Sequence, residues 1–305
     1  MGSRVWFVIL SLTACGRAEP APSDAAPGNA DATVDARTEG RPSATPSGQA
    51  DASEPGTDAV AASPKRAVPP PAQRLIERRG DSEGPIPYRV VEPSEAGPKT
   101  PLVIALHGRG DTAEGFSRLV TRLAVHARVV VGEGPMAWGM MGGRQWYEMG
   151  SGEAVAQIRQ RVVDLGVLVD KLQKLYPEAG KPALFGFSQG AVVSLQAALE
   201  IGDRLSAVAA LSGYLASEDG ATRSAVPVLV TGGTKDGIIP QERSWAAALV
   251  LEQHGHTIER LPFVGPHGVP PVVIDTLRGF LVAHLPHRDE APTRAEPTTG
   301  GDTRP

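Results

Sequence analysis

The residues in this sequence best suited to chemistry are a serine between two glycines, an aspartate in a glycine-rich stretch and a histidine beside a proline. Ser188 centres the segment Gly186-Phe187-Ser188-Gln189-Gly190. A short apolar run at 182–185 leads into it, and a helical pattern over 191–201 leads out. Placed at such a strand-to-helix turn, Gly-x-Ser-x-Gly holds the serine on a tight, strained corner, and the glycines let the backbone pack closely. The hydroxyl then projects above a sheet at a helix N-terminus, where negative charge is favoured. A serine hydroxyl is a weak nucleophile and needs a base within hydrogen-bond reach, itself oriented by a third group. Asp236 lies in Thr231-Gly-Gly-Thr-Lys-Asp236-Gly-Ile-Ile-Pro240, after an apolar run at 226–230. His267 lies in Phe263-Val-Gly-Pro-His267-Gly-Val-Pro, after a run at 258–264. Both fall past the carboxyl end of an expected strand, the edge where open parallel sheets carry their sites. The expected chemistry is acyl transfer: His267 takes and returns the Ser188 proton, and Asp236 holds the imidazole.

An acyl transfer also needs two donors aimed where negative charge develops. One is the backbone N–H of Gln189, directly after the nucleophile. The other is expected from the loop Leu106-His107-Gly108-Arg109-Gly110-Asp111, at the N–H of Arg109. His107 reads as a ring bracing this loop, with a second base as the alternative. His126, His254, His256 and His284, and Asp164, Asp170, Asp203 and Asp275, fall within or beside expected helices and strands and read as solvated groups.

The elements that must position these residues alternate along the chain. Residues 101–107 form a continuous apolar run ended by glycines, and 127–131 a short β-branched one. Over 154–175, Val155, Ile158, Val162, Leu165, Val169 and Leu172 recur at helical spacing. Apolar runs at 182–185, 205–211, 226–230 and 258–264 read as strands, and 271–285 as a closing helix with proline in its first turn. Continuous apolar strands between helices imply an α/β chain, with a mostly parallel sheet covered by helices on both faces.

At the other end, Arg4 precedes an apolar run ending at Leu12, followed by Thr13-Ala14-Cys15. A positive charge before a short apolar segment is the pattern of a secretory signal, and the run is too short to span a bilayer as a helix. Leu-Thr-Ala-Cys resembles the lipobox of bacterial lipoproteins, which implies an acylated Cys15 as a membrane anchor. An ordinary signal peptide with a chance cysteine is the alternative. Residues 1–15 are thus expected to be a signal segment. Residues 16–72, rich in Ala, Pro and Ser, are expected to be a disordered tether. Residues 73–286 would be the catalytic domain and 287–305 a polar tail. The expected location is a bacterial cell envelope, on the periplasmic or outer face; Gly16 after the cysteine leans to the outer membrane. Cys15 is the one cysteine in 305 residues, which excludes an internal disulfide and a thiolate metal cluster. The net charge of −4, with no basic cluster, argues against nucleic acid as a partner.

Taken together, Leu-His-Gly-Arg-Gly-Asp, the Gln145-Trp146-Tyr147-Glu148 segment, Gly-Phe-Ser-Gln-Gly, the Asp236 loop ending in Ile-Pro and His-Gly-Val-Pro resemble the phospholipase/carboxylesterase family in content and order. That family includes the acyl-protein thioesterases, and the resemblance covers about residues 100–285. It implies an α/β-hydrolase fold without a large lid, acting on carboxylic esters or acyl thioesters with no cofactor and no metal. Position by position, it implies Ser188, Asp236 and His267 as the triad and Arg109 and Gln189 as oxyanion donors. Trp146 and Tyr147 match an aromatic segment beside the substrate pocket, with plain core packing as the alternative. The chain departs from the family's usual pattern at Ala191, at residues 232–235, at Glu148 and at Pro266. The altered Asp loop keeps open a tethered binding module on the same fold. A peptidase of this fold is the third reading, and the absence of a propeller or cap in so small a core argues against it.

Overall fold

The computed structural model describes residues 75–79, 84–220 and 224–286. The signal segment, Cys15, the tether and the tail expected from the sequence lie outside the described residues. A sheet of eight strands organises the domain. Along the chain these are β1 (Leu75–Arg79), β2 (Tyr88–Pro93), β3 (Leu102–Leu106) and β4 (Arg128–Gly132), then β7 (Ala183–Phe187), β8 (Val208–Leu211), β9 (Pro227–Gly233) and β10 (Thr257–Phe263). Their spatial order is β1-β2-β4-β3-β7-β8-β9-β10. Six neighbours from β4 to β10 run parallel, while β2 is antiparallel to both β1 and β4. Between β4 and β7 of the chain, β5 (Met136–Trp138) and β6 (Gly143–Gln145) form a separate antiparallel hairpin.

Alternate residues of β3 show why its run is apolar throughout. Leu102, Ile104 and Leu106 pack into one core, while Val103 and Ala105 pack into the other. Each core is closed by helices. Helices α2 (Ala154–Leu175), α3 (Gln189–Ile201) and α4 (Gln241–Gln253) cover one face, through residues such as Leu165, Leu195 and Leu251. Helices α1 (Ala113–Leu123) and α5 (Pro271–His284) cover the other, through Phe116, Val120 and Leu277. A strand buried on both faces has no polar side to alternate with. This is the α/β-hydrolase arrangement expected from the sequence. Among the described residues, no helix is long and apolar enough to cross a membrane.

The chain steps from β3 to one side to form β4 and to the other to form β7. That reversal of direction opens a crevice at the carboxyl ends of β3 and β7, where open α/β sheets bind their ligands. Two expectations about polar groups are corrected. Asp164, read as solvated, is buried on α2, accepting a hydrogen bond from Gln160 Nε2 at 3.0 Å and pairing with Arg161 at 3.1 Å. His256 is also buried, and its Nδ1 accepts the Val226 N–H at 3.2 Å. Burial lowers the pKa of His256 from its ordinary value, against the opposing pull of the Val226 backbone.

Candidate active site

Ser188 stands between β7 and α3 with φ 55° and ψ −117°, a conformation that non-glycine residues avoid. The surroundings hold it there. Its N–H donates to the Leu211 carbonyl at 3.0 Å, and its own carbonyl accepts the Val192 N–H at 3.0 Å. The flanking glycines are required by contact. A Cβ on Gly186 would lie 2.2 Å from the Gly190 carbonyl carbon, and one on Gly190 would lie 2.2 Å from the Leu106 oxygen. The turn can therefore close only when both positions lack a side chain.

His267 follows β10 and faces the serine, with Nε2 2.9 Å from Ser188 Oγ. Its Nδ1 is 2.7 Å from Asp236 Oδ2. The carboxylate can only accept, so Nδ1–H is the donor and Nε2 is left to accept from the serine hydroxyl. Phe187 braces the imidazole from one side, the ring centroids being 4.9 Å apart. The other oxygen of Asp236, Oδ1, accepts the N–H groups of Ile238 at 2.9 Å and Ile239 at 2.8 Å. Burial opposes the charge on Asp236, but the hydrogen bonds from His267 and from the Ile239 and Ile238 backbone outweigh it and hold the carboxyl below its ordinary pKa.

The Asp236 and His267 loops are fastened to each other. The Thr234 N–H donates to the Phe263 carbonyl at 2.9 Å, and the Lys235 N–H donates to the Gly265 carbonyl at 3.0 Å. Glycine at 233 permits this, since a Cβ there would sit 2.7 Å from the Gly265 oxygen. The sequence reading ended this strand at residue 230, because glycines signal loops. In fact β9 runs on through Gly233, paired with Phe263 of β10.

The loop after β3 lies against Ser188. A Cβ on Gly108 would stand 3.4 Å from Ser188 Cβ. The next residue, Arg109, lines the same cavity as Ser188. Gly110 and Asp111 are tied to the hairpin, through Gly110 N–H to Arg144 O at 2.8 Å and Arg144 N–H to Asp111 O at 3.0 Å. His107 braces this loop with both ring nitrogens. Nε2 accepts the Gly134 N–H at 3.0 Å, so Nδ1–H donates to the Gly108 carbonyl at 2.7 Å. Burial lowers its pKa, which favours the neutral ring, and the two hydrogen bonds fix that tautomer. Nothing in this arrangement gives His107 access to a reacting atom. Gln189, first residue of α3, has an N–H that the helix itself cannot satisfy. Its side chain clamps the aromatic segment: Oε1 accepts the Trp146 N–H and Nε2 donates to the Tyr147 carbonyl, both at 3.0 Å.

A cavity of about 240 Å³ opens beside Ser188 and His267. Tyr147 lines it, whereas Trp146 lies behind it, fully buried, with its indole N–H on the His107 carbonyl at 2.8 Å. The two adjacent aromatic residues thus divide between pocket wall and core. The sequence reading missed five wall residues: Met149, Tyr214, Ile238, Ile239 and Arg243. Tyr214 lies just past β8 on the productive edge of the sheet, a placement that could have flagged it. Arg243 lies on α4, whose buried face is Ser244, Ala247, Ala248 and Leu251, too small in side chain to show a clear apolar stripe.

Comparison with known proteins places this geometry in context. The profile of the Phospholipase/Carboxylesterase family matches residues 87–285. An acyl-protein thioesterase 1 from Yarrowia lipolytica is 30% identical over 179 residues, covering 50% of this chain and 77% of that protein. One from Schizosaccharomyces pombe is also 30% identical, covering 53% of this chain and 79% of its own length. Among solved structures, the Bacillus cereus carboxylesterase superposes with a TM-score of 0.58 at 15% identity, over 67% of this chain and 97% of that one. At that identity the likeness speaks for the fold. The chain belongs to the phospholipase/carboxylesterase family and is a hydrolase of the esterase and thioesterase class.

Proposed function

We propose that this hydrolase cleaves carboxylic esters or acyl thioesters through an acyl-enzyme on Ser188. The observation that carries the reading is the unbroken relay from Ser188 Oγ to His267 Nε2 at 2.9 Å and from His267 Nδ1 to Asp236 Oδ2 at 2.7 Å. As Ser188 Oγ attacks the acyl carbon, His267 Nε2 takes its proton. Asp236 stays ionised and balances the imidazolium. The carbonyl oxygen becomes an oxyanion, and the N–H groups of Arg109 and Gln189 stabilise it. Collapse breaks the C–O or C–S bond, and His267 returns the proton to the leaving group. Water then attacks the acyl-serine by the same route, releasing a carboxylic acid and regenerating Ser188. Nothing in this cycle draws on a cofactor or metal.

Incubation with a fluorophosphonate probe tests the assignment. The folded wild-type chain is expected to gain the probe's mass on Ser188. Ser188→Ala should abolish labelling and lower ester turnover by on the order of 10⁴-fold or more. A folded wild-type chain that stays unlabelled would overturn the reading.

A lipid anchor at Cys15, holding the domain to a bacterial envelope membrane, is a separate proposal resting on the sequence pattern Leu12-Thr13-Ala14-Cys15. Cys15→Ser is expected to release the protein from membranes or to block its maturation. Unchanged membrane partitioning of that variant would count against the anchor.

A further inference from the structure

The cavity beside Ser188 has an unusual charge. Two arginines, Arg109 and Arg243, line it, and no aspartate or glutamate is among its described lining residues. The nearest carboxylate in the machinery, Asp236, is spent: His267 and the Ile238 and Ile239 N–H groups occupy its two oxygens. Neither arginine forms an ion pair among the described residues. Each instead lies over an aromatic ring, Arg243 in stacking contact and Arg109 at longer range. The Arg243 guanidinium carbon lies 3.8 Å from the centroid of the Tyr214 ring, and that of Arg109 lies 5.6 Å from the Trp138 ring. Stacking fixes the plane of a guanidinium while leaving its edge N–H donors free, the state in which it best grips an oxyanion.

The helix dipole does not account for this placement. Arg243 is in the first turn of α4, where the helix dipole disfavours a cation. Tyr147, deeper in the cavity, feels both arginines, and they oppose the burial and Tyr214 contact that raise its pKa. Its hydroxyl is 3.2 Å from that of Tyr214, so one phenol donates to the other and a single phenolic O–H remains unspent beside the two guanidinium groups. At about 240 Å³, the cavity suits a small group rather than a bulky one.

We propose that the site selects esters or thioesters whose non-reacting end carries an anionic group, a carboxylate or a phosphate, held by Arg243 and Arg109 within reach of Ser188. This rests on the reading of Ser188 as the nucleophile of an ester hydrolase. The anion could sit on the acyl side or on the leaving group, and paired substrates separate these. Phenyl hemisuccinate against phenyl pentanoate varies charge on the acyl side. The acetate ester of 4-hydroxybenzoate against that of 4-hydroxybenzamide varies it on the leaving group.

In at least one pair, the wild-type kcat/KM is expected to favour the charged member by about tenfold or more, the scale of one hydrogen bond to a charged group. Arg243→Gln and Arg109→Gln should each lower that ratio, and the double variant should bring it to about one. Arg109→Gln keeps its backbone N–H, so any loss belongs to the guanidinium. Raising the salt to 0.5 M should narrow the wild-type ratio. A wild-type ratio at or below one in both pairs overturns the proposal while leaving the hydrolase reading intact. So does a fall in kcat for charged and neutral esters alike in the arginine variants, which would place the charges on the transition state instead. Failure of the wild-type chain to turn over any of the four esters, with no probe labelling, overturns both readings.

Discussion

Ser188 is held at φ 55° by the structure around it, and a non-glycine residue there costs roughly 1–3 kcal/mol. Ser188→Gly relieves that strain and Ser188→Ala does not. Both should be inactive, but the glycine variant should melt above the alanine variant, offset in part by the greater freedom glycine gives the unfolded chain. Differential scanning calorimetry of the pair measures the difference. At Asp236 the carboxylate sets the tautomer of His267. Asp236→Asn can donate to Nδ1 and stabilise the wrong one, so turnover should fall on the order of 10⁴-fold with little loss of fold; steady-state kinetics beside circular dichroism checks both halves. That Ser188, Asp236 and His267 would meet was legible in the sequence because each sits in a short local pattern at the end of an apolar run. The pocket walls were not. Tyr214 and Arg243 lie 26 and 55 positions beyond Ser188 in the numbering and meet it only through the sheet.

Among the elements, α3 does the most to assemble the site. Its first residue carries the N–H proposed as one oxyanion donor, and the same residue's side chain spans the backbone of Trp146 and Tyr147. Gln189→Ala leaves that buried N–H and C=O without partners, at about 1–3 kcal/mol for each group. Urea unfolding should show the lower midpoint, and KM should rise as Tyr147 loses its fixed place in the wall. The long helix α2 was legible to the residue, because its stripe of Ile158, Val162, Leu165 and Leu172 is large and regular. Helix α4 was not, since its buried face is mostly alanine and serine. Strands β1 and β2 were also missed. Their apolar residues are few, and β1 shows Ile76 and Glu77 to solvent.

For the whole molecule, the buried histidines set the response to acid. His107 and His256 both have pKa values below the ordinary 6.5, burial being the leading cause. The unfolded chain therefore takes up these protons first. Their contribution to stability is full above about pH 6.5 and declines as the pH falls below it. The Asp236 carboxyl, also lowered, weakens the fold only at more acidic pH. The Tm should fall between pH 7.5 and 5, and His256→Gln should flatten part of that slope, at about 2–4 °C per kcal/mol for a domain of this size. Calorimetry across this range checks it. Finally, the sheet places the two halves of the reaction unequally. Ser188 is anchored between central strands, while His267 hangs from β10, the outermost strand, with most of its residues open to water. Edge strands fray before a core opens. In rising urea this enzyme should fall silent while still folded, its nucleophile in place and its base adrift.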